Sequence, residues 1–133
     1  MTRQRTAKFL TGLSAFGFFL TAGLHTSGYR SVVLLARQGP PGLASLVSAL
    51  WLAFTAGLIL FGLVVTLVAL GRIPRGRTIL ILASCFPLAT AVLQIQFLGF
   101  IPPVAILSAI AALGIAGAFV SPRATQPAFV GAA

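Results

Sequence analysis

The sequence predicts an all-α integral membrane protein, a four-helix up-down bundle formed as one membrane domain over residues 1–133. Three observations predict it. Hydrophobic residues make up 59% of the 133 residues while charged residues make up 7%, and Asp and Glu are absent; a soluble domain carries about a quarter charged residues. So little polar surface could not cover a water-soluble fold. The apolar residues fall into four long runs, each close to the ~20 residues that carry a helix across a hydrocarbon core. The nine Lys and Arg residues lie around and between these runs, where topology signals belong.

The first element follows a basic start containing Arg3, Arg5 and Lys8, and its span covers about residues 9–29. A basic start before an apolar run has the form of a signal peptide, but no small-x-small cleavage site follows, so a retained span is predicted. In the connector, Ser31–Ala36 either extends the first helix or forms a short interfacial one. Gly39-Pro40-Pro41-Gly42 then breaks it, because proline cannot donate to a helix and its ring clashes with the preceding turn.

The second span covers residues 43–70. As a helix it would reach about 42 Å, more than the roughly 30 Å hydrocarbon core, so it must tilt or begin among the headgroups. Gly71–Arg77 is a short basic turn holding Arg72, Arg75 and Arg77. The third span, 78–97, has Pro87 near its middle, which predicts a kink. Gly99–Pro103 is an uncharged connection, and the fourth span is 104–120. Ser121-Pro122-Arg123 ends it, and residues 121–133 are expected to be a flexible tail.

Four spans put both termini on one side, together with Arg3, Arg5, Lys8, Arg72, Arg75, Arg77 and Arg123. Only Arg30 and Arg37 fall on the other. The positive-inside rule assigns the termini to the cytoplasm, in a bacterial-type inner (plasma) membrane. The bases are accounted for by topology and are not interleaved with aromatics, so no nucleic-acid partner is predicted.

The lack of carboxylates excludes whole mechanisms. Paired-carboxylate hydrolysis, a carboxylate relay for protons or sodium, a Ser-His-Asp triad and carboxylate-supported Mg²⁺ or Ca²⁺ sites all need residues this chain lacks. One His and one Cys do not make a zinc site. The sequence assigns no catalytic residue and no metal site, and requires no cofactor. Cys85 is expected to be a small packing residue.

A polar constellation remains at the end opposite the basic turn: His25, Thr26, Ser27 and Tyr29 from span one, Ser45, Ser48 and Trp51 from span two, Gln94 and Gln96 from span three. His25, Tyr29, Trp51 and Gln94 are the candidate ligand-binding set, and a His25–Gln94 hydrogen bond is predicted across the bundle. Trp51 is expected in the aromatic belt at the interface. The plainer role for such groups is interhelical bonding, worth about 0.6 kcal/mol each on average in membranes. Arg30 and Arg37 are candidates for holding a lipid headgroup.

Gly23-Leu24-His25-Thr26, at the end of the first of four short spans, resembles a motif of uncharacterised small bacterial four-span inner-membrane proteins. The resemblance covers that motif and the general layout, and implies location rather than activity. Small multidrug transporters share the four-span size, but the membrane-embedded acidic residue they share with one another is missing here.

The fourth span is rich in small residues, from Ser108 to Ala118, which suits close helix approach within the bundle or against another subunit. The partners expected are membrane lipids and other membrane subunits or further copies of the chain. The functional expectation is a non-enzymatic accessory or structural subunit of a larger membrane assembly. The alternative is a binder or enzyme for an apolar ligand (a quinone, isoprenoid or lipid) with its site at the outer end of the bundle.

Overall fold

A computed structural model of the chain describes residues 2–73 and 76–121. Arg75, Arg123 and residues 122–133 of the expected tail lie outside the described residues. The fold is all-helical, with α1 over Arg3–Ala36, α2 over Leu43–Ala69, α3 over Gly76–Leu98 and α4 over Pro102–Val120. Each is long and apolar enough to cross a membrane, which makes the chain a multi-pass membrane protein by length and composition.

The boundaries follow from local chemistry. The Ser31–Ala36 segment continues α1, so this helix has 34 residues and a length of about 51 Å, well beyond the span of 9–29. α2 ends on Gly71, whose φ of 72° is left-handed. There Gly71 N–H donates to Val68 O and Arg72 N–H to Leu67 O, a Schellman closure that satisfies carbonyls at the helix end. Pro102 and Pro103 lie inside the first turn of α4 rather than before it, because a first-turn residue has no intrahelical acceptor for its N–H and proline already holds a helical φ. α3 runs on through Pro87, which is buried.

α4 has the largest buried share of the four helices. It packs along both α1 and α3, α1 also packs along α2, and α2 meets α3 only sparsely. Glycine permits the close contacts. Gly114 of α4 sits against Ser14 of α1 and Ser84 of α3, and a Cβ there would collide with Ser84 Oγ. Ser14 Oγ donates to Ile110 O across 3.0 Å, joining α1 to α4, while Ser84 Oγ donates to Leu80 O within α3. Most other hydroxyls, such as Thr11, Thr66 and Thr90, likewise bond back to the preceding turn. This supplies acceptors where lipid offers none.

Between α2 and α3 the spacer is aromatic. Phe86 rests over Gly57, between Phe54 and Phe61 two turns apart, with ring centroids 5.5 and 4.8 Å away. The small residues of α4 divide between two faces. Ala111, Gly114, Gly117 and Ala118 are buried, while Ser108, Ala109 and Ala112 are exposed. Cys85, the expected small packing residue, is exposed and its thiol donates to Ile81 O at 3.3 Å, so it does not pack inside the bundle. Its helical neighbour Ser84 takes the inward position.

Candidate functional site

His25 lies near the middle of the long α1, and Trp51 enters from α2. Their rings stack with centroids 3.9 Å apart and planes 15° from parallel. The indole N–H of Trp51 donates to the His25 carbonyl oxygen at 2.8 Å. Ring and backbone of one residue are thus held by the same partner. Gly28, one turn beyond His25, makes this possible: a Cβ there would stand 3.2 Å from Trp51 Cζ2.

The His25 ring is oriented from its other side by Thr55. Its Nδ1 lies 2.8 Å from Thr55 Oγ1. The Thr55 hydroxyl donates to Trp51 O at 2.9 Å, which uses its only hydrogen, so at this contact Thr55 accepts and Nδ1–H donates. In the neutral ring Nε2 is then a hydrogen-bond acceptor. It has no hydrogen-bond partner among the described residues. Phe54 packs against the same ring at 4.9 Å, tilted by 54°.

His25 and Trp51 border a cavity of about 220 Å³. Thr21, Leu24 and Gly28 complete its α1 side, and Pro103 and Ile106 of α4 lie opposite. The lining is largely apolar. Apart from the His25 ring, its one polar side chain with an uncommitted lone pair is Thr21, whose hydroxyl hydrogen is already donated to Gly17 O at 2.8 Å. Both polar groups therefore offer acceptors, and the Trp51 N–H is occupied. A molecule held here would need an apolar body and a donor.

Compared with known proteins, the chain matches no family model, no curated protein and no solved structure. The site has to be read from its own geometry.

The predicted set separates. His25 and Trp51 are brought together as the core of the site. Trp51 is half-buried against His25, so its ring contributes to the bundle itself. Tyr29 is not part of this cavity; it borders a different hollow of about 460 Å³ with Arg30, Val33, Leu34 and Arg37. Tyr29, Val33 and Arg37 recur every four residues and form one face of the extended α1. The predicted His25–Gln94 bond is absent: Thr55 holds His25, and Gln94 Oε1 is buried without a partner. Arg30 and Arg37, the candidate lipid-headgroup pair, do border one common hollow. Ser45 and Gln96 are exposed, and Ser48 bonds only to Ala44 O.

Thr55 is the residue of this candidate site that sequence reasoning missed, along with Thr21, Gly28, Pro103 and Ile106. One signal was present. Thr55 is a polar residue in the interior of an apolar helix, one turn after Trp51 and so on the same face.

Proposed function

We propose that this protein binds a small apolar molecule carrying a hydroxyl or similar donor, in the cavity bordered by His25, Trp51 and Thr21. The observation that carries this reading is the polarity of that cavity. Its lining is largely apolar, and the two polar side chains in it that keep a free hydrogen-bonding lone pair, His25 and Thr21, have only acceptors left to offer. The arrangement serves recognition rather than catalysis, since His25 has no acidic partner in the chain and the hydroxyl beside it, that of Thr55, already donates its hydrogen to Trp51 O.

The helices run up and down across the membrane. The support is in the pairings: Arg3 meets Val120, Thr11 meets Gly117 and Ser14 meets Ile110 between α1 and α4, while Phe18 meets Gly62 and His25 meets Thr55 between α1 and α2. Arg3 and Arg77 share one cavity, and Lys8 borders another beside Val68 and Ala69. Such clustering of bases favours a cytoplasmic location for that end and for both termini, in a bacterial-type inner membrane, and with it a position of the His25 cavity nearer the outer leaflet.

Native mass spectrometry of the protein extracted from its own membrane in mild detergent tests the reading. The wild type should retain a hydroxyl-bearing apolar molecule, and His25→Ala should release it while remaining folded. In parallel, 2-naphthol should change the emission of Trp51, the single tryptophan, at roughly tenfold lower concentration than naphthalene, the value of one hydrogen bond of about 1.4 kcal/mol. Equal response to both probes, or a ligand kept by His25→Ala, would overturn it.

A second reading, the accessory subunit of a larger assembly, is favoured by the outward small face of α4 at Ser108, Ala109 and Ala112. Small residues at a lipid-facing surface let another helix approach closely. Crosslinking through an introduced cysteine at Ala112 would capture a neighbour if this face is an interface. A lone monomer would count against the reading.

A further inference from the structure

A second cavity lies at the opposite end of the molecule from His25. It measures about 510 Å³ and is bordered by Arg3, Arg77, Phe119 and Ser121, a volume within the range of small-molecule sites. Arg3 begins α1, Arg77 stands in the first turn of α3, and Phe119 and Ser121 end α4. Three helix ends meet around one space.

The two arginines are fixed in different ways. Arg3 Nε donates to Val120 O at 3.1 Å and Nη2 to Phe119 O at 3.5 Å. This caps the exposed carbonyls of α4 and leaves the rest of the guanidinium fork without an acceptor among the described residues. Arg77 lies over the Phe119 ring, with Cζ 5.2 Å from its centroid. Stacking on an aromatic face holds a guanidinium in place without using its in-plane N–H donors. Neither charge can be neutralised by a side-chain carboxylate, because the chain has no Asp or Glu. The N-termini of α1 and α3 add positive dipole ends.

We propose that this cavity binds a phosphate-type anion between Arg3 and Arg77, supplied in the membrane by the headgroup of an anionic phospholipid. Two planar, preoriented guanidinium groups suit phosphate oxygens, which accept paired N–H donors. Phe119 gives the site an apolar wall beside its charges, the combination a headgroup and its adjoining chain region require. Ser121 contributes through shape rather than as a donor, since its hydroxyl is given to Gly117 O at 2.8 Å. The inference is independent of the His25 site and of the chain's orientation; it requires only that the helices lie in a membrane.

The test uses the full chain in mild detergent, offered phosphatidylglycerol or phosphatidylcholine in equal amounts, with bound lipid counted by native mass spectrometry. Phosphatidylglycerol should be retained in preference, and Arg77→Gln should weaken that retention about tenfold, as loss of one charge-assisted contact implies. Arg5→Gln, which removes an exposed base of α1 that does not border this cavity, should leave it unchanged. Phosphatidylglycerol displaced by millimolar inorganic phosphate would support the anion site and identify the free ion as a sufficient ligand. Displacement by phosphate but not by an equal concentration of chloride separates this from general salt screening. Equal retention of the two lipids, or Arg77→Gln binding as the wild type does, would overturn the proposal. Because Arg77 makes no hydrogen bond among the described residues and meets Phe119 through its ring face, the variant should fold; unchanged Trp51 emission checks that it has.

Discussion

Thr55→Val removes one hydroxyl from the site while keeping the shape of the side chain. It deletes the acceptor 2.8 Å from His25 Nδ1 and the back-bond from Thr55 to Trp51 O. The back-bond is local and its loss alters stability little, since such a bond competes with the helix's own ladder. The bond to His25 is interhelical and part-buried, and bonds of this kind in membranes average about 0.6 kcal/mol and reach about 1.7. The stacking of His25 on Trp51 is kept in the variant, so the predicted destabilisation is about 1 kcal/mol. The larger effect falls on the tautomer: without the Thr55 acceptor, nothing holds the proton on Nδ1, and Nε2 loses its standing as an acceptor. Apolar-ligand binding should therefore weaken by roughly tenfold, close to the value of one hydrogen bond. The assay is reversible unfolding in detergent followed through Trp51, combined with 2-naphthol titration. A double-mutant cycle of Thr55→Val with His25→Ala isolates the pair. A coupling energy of zero, with naphthol binding unchanged in Thr55→Val, would refute the reasoning.

Other substitutions probe the packing and the site. Gly114→Leu should lower the unfolding midpoint in detergent and cost at least the ~1–3 kcal/mol typical of overpacking, because Ser14 and Ser84 close on that position from two helices. Phe86→Ala should loosen α3 from α2, costing about 1–3 kcal/mol since the ring is only half-buried; increased proteolysis at the α2–α3 connection would report it. Gly28→Leu should push Trp51 off His25 and shift its emission to the red, with loss of naphthol response. An unchanged spectrum would show that the indole does not depend on that space. Among the described residues Arg3→Ala removes bonds only from exposed α4 carbonyls, so its cost should stay below about 1 kcal/mol, as thermal unfolding can show.

How much of this was legible in the residues alone depends on the scale of the question. The four apolar runs determined the four helices, because every backbone group within lipid must be satisfied internally and a helix does this from local sequence. Gly71 and Gly39-Pro40-Pro41-Gly42 determined where helices stop, again by local geometry. The prolines at 102 and 103 read as connector in the sequence yet begin α4, because the same residue that ends a helix interior also suits its first turn. The weight given to His25 and Trp51 came from composition: they are the unusual side chains of an otherwise apolar chain.

Only the tertiary structure decided which groups those residues meet. Spacing along one helix fixes a face, but the partner on another helix depends on rotation and axial offset between them. Those are set by packing at small residues such as Gly28, Gly62 and Gly114. That is why Gln94 could be placed at the right end of its helix and still not reach His25, while Thr55, one turn from Trp51, did. It is also why Arg3 and Arg77, separated by most of the chain and read from sequence only as topology signals, converge on one cavity with the end of α4.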